Sequence, residues 1–119
     1  MQTVQSFLNN ANEHKHLNAF IELWGEEALQ RAVEIDIEIS KGNCGKLAGM
    51  VIALKDNICY KGHSVTASSK ILFGFESLYS ATAVERLLAA GAIIIGRCNS
   101  DEFAMGASNE TSTYGPVLN

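Results

Sequence analysis

Lys55 closes a run in which five of the six residues from Met50 to Lys55 are apolar, and Asp56 and Asn57 follow at once. Such a run, bounded by Gly49 and two polar residues, reads as a strand buried on both faces. A lysine at the end of that strand is expensive to desolvate, and it has two readings. It is a solvated terminus paired with a neighbour such as Asp56, or a half-buried amine that gives up its proton readily and serves as a base. Position alone does not separate them. The other chemically capable residues are less organised. Cys44, Cys59 and Cys98 are odd in number, far apart and without a CxxC pair, which argues against a disulfide framework or zinc site and for a reducing compartment. Cys59 and Cys98 flank the two predicted strand ends, and both read as buried thiols. His14, His16 and His63 lack metal-ligand spacing, and no metal site is expected. "GAIIIGR" carries no GxGxxG, which leaves a dinucleotide site unsupported.

The elements that must position Lys55 fall into two parts, an N-terminal helical segment over 1–44 and an α/β region over 45–119. Phe20, Leu23, Trp24, Glu27, Ala28, Arg31, Ala32, Ile35 and Ile39 lie on or beside one helical face. That pattern predicts a long helix from Asn18, its cap, to a stop at Gly42, after a short first helix and the polar "NEHKHLNA". "EIDIEIS" also alternates with period two, so a strand is the rival reading for Glu34 to Ser40. From Leu47 the texture becomes strand, irregular Gly/Ser-rich segment, helix, strand. "SATAVERLLAAG" predicts a helix capped by Ser80 or Thr82, with Thr82 and Glu85 as a capping box and Gly91 at its end. "AIIIGRCN" predicts a second buried strand. Two apolar strands joined through a helix form a parallel crossover, so the fold class is α/β and ligands belong at the C-terminal strand ends, where Lys55 and Asn99 fall. A sheet of only two strands would leave unpaired edges, so the chain alone is expected to be loosely packed and prone to aggregate.

Composition narrows the function classes. The chain has 119 residues, 47% of them hydrophobic, and a net charge of −4. No basic surface is implied, which disfavours direct contact with nucleic acid. There is no apolar run of transmembrane length and no signal-peptide pattern, so no membrane role and a cytoplasmic location are expected.

"GKLAGMVIALKDNICYKGHSVTASSKIL" followed by "SATAVERLLAAGAIIIGRCNSDEFAMGASNETSTYGPVLN" closely resembles the amidase signature family. Within it, "DEFAMG", "SNETS" and "YGP" resemble the branch formed by the A subunits of tRNA-dependent amidotransferases. The resemblance implies the N-terminal part of the amidase signature fold, a mixed sheet covered by helices on both faces. It further implies a Ser–cis-Ser–Lys hydrolase in which Lys55 is the base. Lys55 would draw a proton through a bridging serine from a nucleophilic serine, which attacks the side-chain amide of glutamine and releases ammonia. The same resemblance puts the backbone of Met105, Gly106 and Ala107 beside the substrate. A B subunit would activate glutamyl-tRNA with ATP and Mg, a small C subunit would complete a heterotrimer, and this chain itself would hold no cofactor. Both catalytic serines of the family sit in a Gly/Ser-rich stretch of the "GGSSGGSA" type. None of Ser64, Ser68, Ser69, Ser77, Ser80, Ser100, Ser108 or Ser112 has that context, and "TASSK" is only a lookalike. The expectation is an N-terminal fragment or truncated product that carries one triad member and is inactive alone. A piece of a free-standing amidase and a non-catalytic product are the alternatives.

Overall fold

The computed structural model describes residues 1–119. Helix α1 (Gln2–Glu13) buries Val4 and Leu8, one turn apart, against Ala28, Ala32 and Ile35 of helix α2 (Gly25–Ser40). Residues spaced by four and three share a helix face, and the two alanines let the helices approach closely. Glu26 and Glu27 in the first turn of α2 complement its dipole. Glu34 to Ser40 lies inside α2, so its alternation does not make a strand; Ile37 and Ile39 are left exposed.

The chain does not, however, run as one helix from Asn18. Asn18 adopts a left-handed φ of +58° after a single 3-10 turn, and Phe20–Leu23 form strand β1. Its side chain caps no helix and donates instead to the carbonyls of Tyr114 and Gly115. Tertiary pairing overrides the helical spacing here. β1 lies antiparallel to strand β3 (Ile93–Cys98), with Phe20 opposite Cys98 and Leu23 opposite Gly96. The approach depends on Gly96, because a Cβ there would lie 2.2 Å from the Glu22 carbonyl oxygen.

Strand β2 (Val51–Lys55) pairs in parallel with the other side of β3, giving a mixed sheet in the order β1-β3-β2. The sheet therefore has three strands rather than two. Helix α3 (Thr82–Ala89) makes the crossover and buries Val84 against Leu54 and Ile94. Gly91 follows it at φ +93°, the predicted stop. The predicted N-terminal cap is absent, since Ala81 occupies that position and the Ser80 hydroxyl accepts from the Lys61 amide instead. β3 is buried on both faces, with Ile93 and Ile95 under α1 and α2 and Ile94 under α3. β2 departs from the sequence reading. It is an edge strand, as β1 is on the other side, α2 packs over β3, and Ala53 and Lys55 remain exposed. No helix is long and apolar enough to cross a membrane.

Candidate active site

The C-terminal ends of β2 and β3 set Lys55 opposite Cys98 in register. The connections leaving both strands fold back over this end, and two buried carboxylates hold them there. Asp56 is only 1% exposed. Its carboxylate accepts from the amides of Thr66 at 3.1 Å and Ser68 at 2.8 Å, from the Thr66 hydroxyl, and from the Arg97 guanidinium. Its own carbonyl accepts from the Ala67 amide at 2.9 Å. Asp56 thus holds the strand-end turn through backbone hydrogen bonds, as its position suggests. It is not a surface partner for Lys55, because its charge is committed inward to Arg97. Arg97 also reaches Glu22 at 3.0 Å and lies 5.9 Å from the centre of the Tyr114 ring. Burial works against its charge, but Asp56 and Glu22 more than compensate and move its pKa above the usual arginine value.

Asp101 holds the second connection. It accepts from the Asn109 amide at 3.0 Å and from the Thr111 hydroxyl at 2.9 Å. Desolvation pushes its pKa up, but those bonds, together with the charge of Lys55, outweigh it and hold the carboxyl below the usual carboxylate range. The two connections are also strained. Ala67 and Ser68 have φ of +49° and +52°, and Phe103 and Ala104 have +50° and +58°. A left-handed conformation costs a non-glycine residue about 1–2 kcal/mol. The two strained pairs meet, with the Phe103 amide donating to the Ala67 carbonyl at 2.8 Å. Strain of this kind persists where the surroundings over-determine it, and it clusters at functional sites.

Each residue singled out from sequence has a definite place in this arrangement. Lys55 is exposed rather than half-buried, a consequence of the outer position of β2, and it joins none of the five ion pairs. Its charge acts on Asp101. Met105, Gly106 and Ala107 are exposed and run beside Asp101; a Cβ on Gly106 would lie 2.4 Å from the Asp101 carboxyl carbon. Asp101 therefore lies against this stretch and within electrostatic reach of Lys55. Ser68 and Ser69 are fully buried, with their hydroxyls at 3.2 Å from the Ser100 hydroxyl and 2.6 Å from Glu102 respectively. Ser108 is exposed and donates to Glu110. Cys98 is half-buried, and desolvation raises its thiol pKa, which disfavours the thiolate a nucleophile needs. Asn99 is a tether. It donates to the carbonyls of Asn18 and Gly115 and accepts from the Ser112 hydroxyl. His63 stacks on Tyr60 at 4.1 Å and reaches Glu27 at 2.7 Å, away from the strand ends.

Arg97, Asp101, Thr66 and Tyr114 are not legible from sequence as site residues. The one available signal is Arg97 itself, a charge following four residues of a buried strand. The largest cavity, about 540 Å³, lies elsewhere, between α1 and β1 against Phe7, Phe20 and Leu23. It is mostly apolar, and although Lys15 and Glu22 line it, neither Asp56 nor Asp101 does, which makes the strand ends the better candidate.

Comparison with known proteins bears on what this end does. The amidase family model matches residues 2–119. The chain is 49% identical over 119 residues to the A subunit of glutamyl-tRNA(Gln) amidotransferase from Chlorobaculum parvum, covering 99% of this chain and 25% of that protein. It is similar to the solved structure of the corresponding A subunit from Thermotoga maritima, with a TM-score of 0.74, 32% identity, and coverage of 98% of this chain and 23% of that one. A structure reported for a vestigial protein complex at the evolutionary origins of an s-triazine catabolic enzyme gives a TM-score of 0.92 at 34% identity, covering 99% of this chain and 26% of that one. The chain spans about a quarter of the length of the curated relatives it matches.

Proposed function

The chain belongs to the amidase family, and on that footing we propose that it forms the lysine-bearing quarter of the A subunit of a glutamine-hydrolysing amidotransferase. The observation that carries the reading is the 49% identity to a protein of that name across the whole chain, with Lys55 at a strand end where an α/β sheet binds ligands. In the proposed reaction the Lys55 amine accepts a proton through a bridging serine as a second serine attacks the glutamine amide carbon. An acyl-enzyme forms, and the amide nitrogen leaves as ammonia. The serines come from the part of the amidase fold that this chain does not span, because its own Ser68 and Ser69 are buried and engaged. The exposed backbone of Met105, Gly106 and Ala107 borders the substrate, and Asp56 and Asp101 hold the two loops around it. Ammonia passes to a B subunit that activates glutamyl-tRNA with ATP and Mg, with a small C subunit completing a cytoplasmic assembly. The acidic balance of this chain leaves tRNA to that partner.

A second reading is an amidase acting on another amide. It is favoured by the TM-score of 0.87, at 31% identity, to a solved structure described simply as an amidase, although fold alone does not assign substrate. The test is a chimera in which this chain replaces the matching quarter of the Chlorobaculum parvum protein. Ammonia release from glutamine, with amidation of glutamyl-tRNA(Gln) once the B and C subunits and ATP are added, supports the first reading. Hydrolysis of simple aryl or alkyl amides with glutamine untouched supports the second.

A further inference from the structure

Between β2 and α3 the chain folds back on itself. The Gly62 amide donates to the Ser77 carbonyl, the Ser77 amide to the His63 carbonyl, and Ser64 bridges Glu76. Side chains fasten this small hairpin to the first turn of α2. One carboxylate oxygen of Glu27 accepts from the Tyr60 hydroxyl at 2.7 Å, and the other lies 2.7 Å from His63 Nε2. The second ring nitrogen, His63 Nδ1, lies 3.1 Å from the Lys61 carbonyl oxygen. An ionised carboxylate and a carbonyl only accept. A neutral imidazole has a single N–H and satisfies one of them, whereas the imidazolium has two and satisfies both. The ring also stacks on Tyr60, 5° from parallel, and its centre is 4.2 Å from that of Trp24. Aromatic faces favour a cation. Against the charge stand burial of the ring, 16% exposed, and two nearby cations. Arg31 of α2 is one, but it is engaged by Glu34 at 2.9 Å; Lys61 is the other.

We propose that Glu27, Tyr60 and His63 form a proton-operated latch, in which the charged imidazole fastens the β2–α3 connection to α2 and loss of its proton loosens the hairpin. Deprotonation gives up one of the two ring hydrogen bonds and the ion pair with Glu27. Histidine is the side chain whose charge changes between about pH 5 and 8, so the latch operates there. The sign follows from which form makes both bonds: the latch is closed at the acid end and opens as pH rises. The Tyr60 bond to Glu27 does not titrate in that range, because burial and the carboxylate push the phenol pKa far above the usual tyrosine value. The same connection carries the Thr66 and Ser68 amides that bind Asp56, so the latch is a second anchor on the loop beside the strand ends. It requires neither glutamine as substrate nor Lys55 as base, and it stands or falls separately from the proposed function.

The test is hydrogen exchange on the 119-residue chain at pH 5.5 and pH 8, with rates corrected for the intrinsic pH dependence of exchange. Protection of the Gly62 and Ser77 amides should fall about threefold from the lower pH to the higher, the scale of a partly exposed ion pair. His63→Gln keeps a neutral donor and should abolish that difference. Tyr60→Phe should lower protection at both pH values and keep the difference. Replacing His14 and His16, at the far end of α1, should change nothing at these amides. Trp24, the single tryptophan, lies against the His63 ring, and its emission in the unaltered chain should change over the same pH range. Equal protection at the two pH values, or a difference that survives in His63→Gln, overturns the proposal. So does Trp24 emission that stays constant from pH 5.5 to 8, a result that needs no variant to fold.

Discussion

Replacing Asp56 with alanine tests the physical core of the site without requiring any activity. The carboxylate is 1% exposed and receives Arg97, the Thr66 hydroxyl and two backbone amides. Removing one partner of a buried ion pair costs about 3–5 kcal/mol, because the other charge stays behind uncompensated. Here Arg97 keeps Glu22 at 3.0 Å, which favours the lower end of that range. The amides of Thr66 and Ser68 lose their acceptor as well, at about 1 kcal/mol or more each. The expected loss is about 4–5 kcal/mol, a large share of the roughly 5–15 kcal/mol typical of a whole domain. Asp56→Asn keeps the shape and one acceptor oxygen and should lose about half as much. Urea unfolding read through Trp24, the single tryptophan, measures both variants. With a slope of about 1–3 kcal/mol per molar urea, the alanine variant should unfold at least about 1.3 M earlier. Arg97→Met combined with Asp56→Ala should cost less than the sum of the two single changes, since the uncompensated charge is gone. A loss below about 1 kcal/mol, or simple additivity, would show that Asp56 does not hold this end of the sheet.

Other consequences are more local. Asp101 has a depressed pKa, so the stability it contributes is complete above its unfolded value near 3.9 and is lost as pH falls from there through the folded value. Carboxyl NMR should place its midpoint below about 3.9, and Lys55→Ala should raise it; a midpoint unmoved by that change would separate the two residues. Gly96→Ala should displace β1 and cost about 1–3 kcal/mol, with faster exchange of the Trp24 amide, which donates to the Ile95 carbonyl; unchanged exchange would contradict the close approach. Burial of Cys98 predicts slower alkylation by iodoacetamide than at exposed Cys44, and equal rates would overturn it.

The α/β class, the crossover through α3, the stop at Gly91 and the buried β3 are legible in local patterns, because periodicity and a glycine at a helix end are properties of neighbouring residues. β1 is not. Phe20 to Leu23 fit the helical face by spacing, and only pairing with β3, some seventy-five residues away, makes them a strand. Gly96 is the legible hint, since a glycine within an apolar strand marks close backbone approach. The exposure of Lys55 is hidden for a related reason: the sequence of β2 indicates a strand but not whether a neighbour lies beyond it. The two carboxylate clamps are equally hard to read. Asp56 finds Arg97 across 41 positions, and Asp101 finds Asn109 and Thr111 through a loop of ordinary polar residues.

The central claim is that the Lys55 amine is the proton acceptor in amide hydrolysis, and one measurement addresses it directly. In the chimera carrying this chain, kcat/KM for ammonia release from glutamine is compared between the parent and Lys55→Ala, with melting temperature and assembly as controls. Loss of a proton-relay member is expected to lower activity by three or more orders of magnitude, about 4 kcal/mol or more in the barrier, with folding and assembly intact. Retention of more than about a tenth of the parent activity, under roughly 1.4 kcal/mol, would return Lys55 to the role of a solvated strand end.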